Sequence, residues 1–396
     1  MHPLKDESLP MTTFISRSQS RWAMALLTMM LWGTASAQMA EGFSALRDNR
    51  PWAALHALQA PGGEAQVAAQ VAVFVGDDRP GCAILSGRPP EQANGAEYRD
   101  ALATIAEAAS DARVVMLNEY HASRVPRLFL SELIERLDAM GFDALAAETF
   151  YPRVADTLRD GIPKTSTGHY TADPAFAAAV RVAARAGWDF VAYESMGGGR
   201  EARERGQAAA LADWLTRHPK RRLLVYAGGS HISEDPEAGW MAARLTALTG
   251  IDPLTIAQTA ACAQTADAWQ FDAPGAVVAW REGRAVSQPH VDLLALHPPQ
   301  AVASAHVRRG VPVQVCLAPW TDASLLRAFA VGDPADAIAI DQAVVSPDAR
   351  QGDLRLPPGR YRLAREDLRA LHPLGSLEVV VGESTVAACR HPDGTG

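Results

Sequence analysis

Four short apolar segments of the sequence each end in a His or Glu residue. "RVVML" runs into Glu119 and His121, "DALAA" ends at Glu148, "DFVAY" ends at Glu194, and "RLLVYAG" leads to His231. Ligands of open α/β sheets bind at the carboxyl ends of the strands, so we expect these side chains to meet in one cleft. Clustered imidazoles and carboxylates have the perturbed pKa values that acid–base chemistry and metal binding use.

A hydrolytic site is one interpretation of these residues. His121 would take a proton from water, and Glu119 or Glu148 would fix the tautomer of its ring. His231 and Arg203, which follows the third segment in a charged stretch, would stabilise the negative charge on the reacting oxygen.

A metal site is a second interpretation of the same cluster. His121 and His231 would supply nitrogen ligands, and Glu119, Glu148 or Glu194 would supply a carboxylate. Two imidazoles and a carboxylate with an open position suit Zn, Mn or Fe.

The four segments belong to an alternating series of strands and helices between residues 111 and 282. Amphipathic stretches such as "RLFLSELIERLDAM" and "PAFAAAVRVAARAG" separate them, and "PLTIAQ" is a fifth strand. This alternation predicts an α/β fold with a mainly parallel sheet and helices on both faces.

Two further parts flank this core. Residues 38–110 are Ala-rich with helical spacing and predict a helical segment that caps the core. Residues 283–396 contain "PVQVCLA", "DAIAI", "LRLPPGRYRLA" and "SLEVVVG", which predict a small β-rich domain.

The amino terminus has the pattern of an export signal. Arg17 and Arg21 precede the apolar run Trp22–Trp32, and small residues follow to Ala37. A positive flank, a short apolar core and an A-x-A exit are typical of a signal peptide over residues 1–37. We therefore expect a periplasmic or secreted protein with no membrane association after cleavage.

Composition excludes several classes of protein. The 396 residues are 48% apolar and 21% charged, as in a globular protein with a core. A formal net charge of -8 argues against general nucleic-acid binding, which needs clustered cations.

The chain has four cysteines, Cys82, Cys262, Cys316 and Cys389. An even number permits two disulfides in an oxidising compartment, and three pairings are open. Cys316–Cys389 is favoured because both residues flank one β-rich unit.

Residues 111–260 resemble the superfamily that joins ChaN-type haem-binding proteins, Tiki-type metalloproteases and erythromycin esterases. The resemblance lies in "VVMLNEYHASRVPRLFLSELIERLDAMGFDALAAETF", "RERGQAAALADWL" and "LLVYAGGSH". The matching positions are Glu119 with His121, the acid Glu148, the pair Arg203-Glu204, the Gly-x-x-His motif from Gly228 to His231, and Arg124 or Arg127 as the Arg after the first His.

The resemblance implies three chemistries. The esterase branch implies a His general base without a metal, and the Tiki branch implies divalent-metal hydrolysis. The ChaN branch implies haem or iron binding, with a His or Tyr (Tyr120 or Tyr226) on the iron and Arg127 on the propionates.

Three hypotheses follow for function. The first is an exported hydrolase that acts on a small-molecule substrate. The second is a periplasmic haem- or iron-binding protein, and the third is a scaffold with a degenerate site.

Overall fold

The computed structural model describes residues 37–61, 63–84, 87–148, 150–195, 197–308, 310–380 and 392. The predicted export signal lies outside these ranges except for its last residue, so its cleavage stays a prediction. Within these ranges the chain forms no helix that combines the length and apolar character needed to cross a bilayer.

The amino-terminal part is helical, as predicted. Pro51 occupies the first turn of one helix, where its missing N–H leaves no donor unpaired. The helices here are α1 (37–47), α2 (Pro51–Gln59), α3 (Ala65–Phe74) and α4 (Arg79–Ile84).

The central sheet is mixed but mainly parallel. In the described ranges its order is β1-β7-β9-β6-β2-β5-β3-β4, with β8 paired to β7. The six strands from β9 to β4 in this order run parallel to one another. β7 runs antiparallel to both of its neighbours, β1 and β9. The bounds are β1 (Glu97–Asp100), β2 (Val114–Glu119), β3 (Ala144–Ala147), β4 (Asp189–Ala192), β5 (Leu223–Gly228), β6 (Leu254–Ala260), β7 (Val277–Arg281), β8 (Arg284–Ala285) and β9 (Leu293–His297).

Helices cover both faces of this sheet. Val115 and Leu117 of β2 pack in the core of one face with α5, α6 and α8, while Val114 and Met116 pack with α9 and α10 on the other. Strands buried on both faces are continuous apolar runs in the sequence, so they could be predicted from it. The helices are α5 (Ala101–Ala108), α6 (Val125–Asp138), α7 (Val154–Thr157), α8 (Pro174–Arg185), α9 (Gly199–Arg217) and α10 (Met241–Thr249).

The carboxyl-terminal part contains one helix followed by antiparallel strands. A four-stranded sheet, β12-β11-β14-β15, and the pair β10–β13 share an apolar core that includes Val313, Leu326, Leu354 and Leu363. The elements are α11 (Pro299–Arg308), β10 (Val311–Cys316), β11 (Ser324–Ala330), β12 (Asp341–Val345), β13 (Gln351–Leu356), β14 (Gly359–Glu366) and β15 (Leu371–Val379).

The boundaries of the core unit differ from the predicted 111 and 282. β1 pairs with β7, and β9 pairs with β6 inside the sheet, so the unit extends from residue 97 to residue 297. These outer strands were missed because two to five residues carry little periodicity. "DAIAI" is not a strand, and the helix α11 lies in the part predicted to be β-rich.

A disulfide joins Cys82 in α4 to Cys262 after β6, across 180 residues of sequence. The bridge ties the helical segment to the central sheet. It is compatible with the favoured Cys316–Cys389 pairing, but Cys389 lies outside the described residues.

Candidate active site

The four predicted strand ends lie side by side. β2, β5, β3 and β4 are consecutive neighbours in the sheet and run parallel, so their carboxyl ends share one edge. The side chains that follow them are connected by hydrogen bonds and ion pairs across this edge.

His121 is held between two carboxylates. Its Nδ1 lies 2.7 Å from Oε1 of Glu119, and its Nε2 lies 3.8 Å from Oε2 of Glu148. A β-carbon at Gly228 would lie 2.4 Å from Nε2 of His121, so only glycine allows the ring to approach β5 this closely. The glycine of the Gly-x-x-His motif thus makes room for the other histidine.

Arg127 and Tyr226 hold the carboxylate of Glu119 by hydrogen bonds. Arg127 donates to both of its oxygens, at 2.7 and 3.0 Å, and the hydroxyl of Tyr226 donates to Oε2 at 2.7 Å. Arg127 is 0% exposed and also bonds Asp173 at 3.0 Å. Burial alone would raise the pKa of Glu119, but Arg127 and the hydrogen bond with His121 outweigh it and lower the pKa to about 2. The carboxylate therefore stays charged and holds Nδ1 of the imidazole.

Arg203 joins the acids that follow β3 and β4. Its Nε and Nη2 donate to the two oxygens of Glu194, at 2.9 and 2.8 Å, and Nη2 also reaches Glu148 at 2.5 Å. Gln207, one turn later on α9, donates to Glu194 at 3.0 Å. The backbone N–H of Gly228 donates to Oε2 of Glu148. These contacts fix Glu148 in the middle of the site.

His231 lies near Oε1 of Glu148, whereas His121 lies near Oε2. Its Nδ1 lies 2.9 Å from Glu204, a buried residue that also accepts from the N–H of Met241. Its Nε2 lies 3.6 Å from Oε1 of Glu148 and 3.1 Å from Nη1 of Arg203. A neutral ring accepts a hydrogen bond from Arg203 at Nε2. A charged ring carries a proton on Nε2, and Glu148 is the acceptor within reach of that proton.

Electrostatics favours the charged form of His231. Burial lowers its pKa, but hydrogen bonding with Glu148 and Glu204 outweighs burial and raises the pKa to about 9. Burial also opposes ionisation of Glu148, yet His231, His121 and Arg203 lower the pKa of that carboxyl well below its usual range. At neutral pH the site thus pairs a charged imidazole with a charged carboxylate.

An aromatic residue completes the surroundings of His121. The ring of Tyr170 stacks on the imidazole with centroids 4.2 Å apart and planes 20° from parallel. Burial, and then the charges of Glu148 and Glu119, raise the pKa of Tyr170, so its hydroxyl remains protonated. Glu119 and Tyr170 together define the position and the plane of the imidazole.

A cavity of about 530 Å³ opens beside this cluster, and its lining includes Glu148, Glu194, His169, Tyr170 and Arg203. Larger clefts of about 680, 570 and 960 Å³ lie elsewhere in the described part of the chain, and none of the five strand-end His or Glu residues lines them. The cavity of about 530 Å³ can present a ligand to the site, because Glu148 and Glu194 line it.

The residues expected to contact a cofactor have different positions. Arg127 and Tyr226 are buried behind Glu119, where they bond that carboxylate. Tyr120 is half-buried just after β2. Asn118 bonds Gln258 of β6 and donates to the carbonyl of Gly229 after β5. Arg127 and Tyr226 thus support the site and do not line the cavity.

The proposed metal ligands meet, but as an ion-pair network. Arg203 lies between Glu148 and Glu194 and occupies the oxygens that a metal would need. Among the residues that the structure describes, no group of three or more His, Cys, Asp or Glu is arranged to hold a metal ion. The donor set of His121, His231 and the two acids does not fit a divalent cation in this geometry.

Other residues of the site were not predicted. Tyr170 and Asp173 lie in the stretch before α8. The Asp173-Pro174 pair is typical of the start of a helix, and Oδ1 of Asp173 does cap α8. Nothing in the local sequence indicates that its Oδ2 accepts a hydrogen bond from Arg127.

No protein-family model matches this sequence, and no curated protein matches it. The type III effector HopBA1 is a solved structure with 14% identity and a TM-score of 0.37, over 53% of this chain and 99% of that chain. RRSP, a MARTX toxin effector domain from Vibrio vulnificus CMCP6, has 16% identity and a TM-score of 0.29, over 50% of this chain and 41% of that chain. With TM-scores this low, neither likeness indicates a function for this chain.

Proposed function

We propose that this protein is a hydrolase in which His121 activates water without a metal ion. The observation that carries the proposal is the pair Glu119–His121. A buried, charged carboxylate bonds Nδ1 of the imidazole at 2.7 Å, while Nε2 lies 3.8 Å from Oε2 of Glu148, a residue that lines the cavity. A base oriented by a second fixed group is the arrangement that nucleophile activation requires.

The proton transfers can be written for an ester. With Nδ1–H bonded to Glu119, the lone pair of His121 is on Nε2, which accepts a proton as water attacks the carbonyl carbon. The bond to the leaving alkoxide then breaks, and a proton passes from an imidazolium to that oxygen. The products are an acid and an alcohol, and Glu119 keeps its charge throughout.

The cationic side of the site would stabilise the intermediate. Arg203 stays charged, because Glu194 and Glu148 raise its pKa although burial lowers it. His231 carries the second positive charge below about pH 9. Fixed donors aimed at a developing oxyanion are commonly among the largest contributions to catalysis.

Haem binding has less support. The Arg and one of the Tyr residues that would serve it, Arg127 and Tyr226, are occupied by Glu119 and buried. The predicted export signal would place the hydrolase in the periplasm or outside the cell.

Release of p-nitrophenol from p-nitrophenyl acetate tests the proposed function. We expect purified protein to hydrolyse this ester at a rate proportional to protein concentration, before and after dialysis against EDTA. Loss of all hydrolysis after dialysis, with recovery on adding Zn²⁺ or Mn²⁺, would contradict a metal-free site.

Activity should fall at alkaline pH. The raised pKa means that His231 is charged below about pH 9 and loses its proton above it, so kcat/KM should decline above about pH 9. His231→Gln should lower activity and remove this decline. An unchanged alkaline limb in His231→Gln would show that another group titrates there.

A further inference from the structure

The cavity beside His121 has a largely apolar wall. Six of its lining residues are Phe43, Leu46, Val67, Phe150, Tyr151 and Pro152. Of the polar lining residues, Glu148, Glu194 and Arg203 belong to the site already described, and Arg47, Gln70 and Thr165 lie outside it. A ligand that fills this space therefore meets apolar surface as well as Glu148 and Arg203 of the site.

Part of that wall comes from the amino-terminal helices. α1 supplies Phe43 and Leu46, and α3 supplies Val67. Leu46 is 6% exposed, and it packs in an apolar cluster that also includes half-buried Tyr170. Tyr170, which stacks on His121, thus also packs against this part of the cavity wall.

Aromatic contacts connect the wall to the base. Phe43 meets His169 edge-on at 5.4 Å, and Phe74 of α3 meets both His169 and Tyr170, at 5.7 and 6.4 Å. Burial lowers the pKa of His169 to about 4, so this imidazole is neutral at neutral pH. His169 therefore adds no charge to the wall of the cavity.

The charged groups that line the cavity balance one another. Glu148 and Glu194 carry two formal negative charges, and Arg47 and Arg203 carry two positive charges. The lining therefore favours neither an anion nor a cation, and its apolar surface favours an uncharged group.

We propose that the cavity binds the apolar, aromatic-sized group of an uncharged ester, and that α1 and α3 set this specificity. The inference rests on the proposed hydrolase function, which it extends to a substrate class. Val67 is the specificity-determining residue with the simplest test, because it is half-buried on α3 and lines the cavity.

Val67→Trp would fill the cavity, and Gln66→Trp is its matched control. Gln66 is the preceding residue on α3 and is exposed. The first measurement is fluorescence titration with N-phenyl-1-naphthylamine, a neutral dye that brightens in apolar sites. We expect the unmodified protein and Gln66→Trp to bind it alike, and Val67→Trp to bind at least about tenfold more weakly.

The second measurement follows acid release from methyl phenylacetate and methyl acetate at constant pH. The ratio of kcat/KM for the two esters should favour the phenylacetate and should fall at least about tenfold in Val67→Trp, mainly through KM. Gln66→Trp should keep the ratio of the unmodified protein.

The two proposals can fail separately. Dye binding that Val67→Trp does not weaken, or an ester ratio that it does not change, overturns the specificity inference even if hydrolysis is observed. Dye binding that depends on Val67 with no hydrolysis of either ester supports the apolar pocket and overturns the hydrolase.

Discussion

Replacing His121 by alanine is expected to lower kcat/KM for p-nitrophenyl acetate by about 10²–10⁴-fold, the usual contribution of a positioned general base. The variant should fold, because the side chain is 21% exposed and the residues that hold Glu119 remain. Far-UV circular dichroism and the initial rate of hydrolysis measure the two effects.

His372→Ala is the matched control for this prediction. His372 also bonds a carboxylate, Asp367, but on the β-rich part of the chain away from the cluster. Its loss should leave hydrolysis unchanged. If His121→Ala retained the rate of the unmodified protein, His121 would not be the base.

Replacing Arg127 by methionine is expected to lower the free energy of unfolding by about 3–5 kcal/mol, the cost of breaking a buried ion pair by removing one partner. Arg127 is fully buried between Glu119 and Asp173, and methionine would leave Glu119 without its guanidinium and Asp173 with only the more distant Arg124, at 3.8 Å. Urea unfolding followed by tryptophan fluorescence measures this change. Hydrolysis should fall as well, because Glu119 loses its bidentate partner.

Arg217→Met provides the comparison. Arg217 pairs with Asp213 one turn away on the surface of α9, where solvent screens the charges. The unfolding midpoint should not change measurably. An unfolding midpoint for Arg127→Met close to that of Arg217→Met would show that the ion pair between Arg127 and Glu119 does not stabilise the fold.

The centre of the fold was predictable because its strands are buried on both faces. β2, β3, β4 and β5 are short apolar runs, and Glu119, Glu148, Glu194 and His231 stand at or within three residues of their carboxyl ends. A parallel sheet brings such ends to one edge, so their proximity follows from topology rather than from any local motif.

The supporting residues were not predictable in the same way. Tyr170 and Asp173 lie between α7 and α8, where neither helical nor strand periodicity indicates a partner. Their contacts with His121 and Arg127 span about 50 residues of sequence. Arg127 and Tyr226 were expected to face a ligand, because sequence does not show which side of a strand or helix holds the buried acid.

Residue types also left the chemistry open between metal and proton transfer. His121, His231 and acids suit either, and the resemblance to the ChaN, Tiki and esterase superfamily stays a prediction that allows both. The placement of Arg203 between Glu148 and Glu194 favours proton transfer, because a guanidinium already neutralises those carboxylates.

Chemical rescue of His121→Ala by imidazole tests the central claim most directly. Methyl phenylacetate is the substrate, since free imidazole attacks this unactivated ester poorly. We expect imidazole to restore hydrolysis in a saturable manner, and we expect Glu119→Gln in the same chain to abolish the gain, because the carboxylate at Nδ1 positions the base. Equal rescue with and without Glu119, or no rescue in a folded His121→Ala protein, would contradict the account.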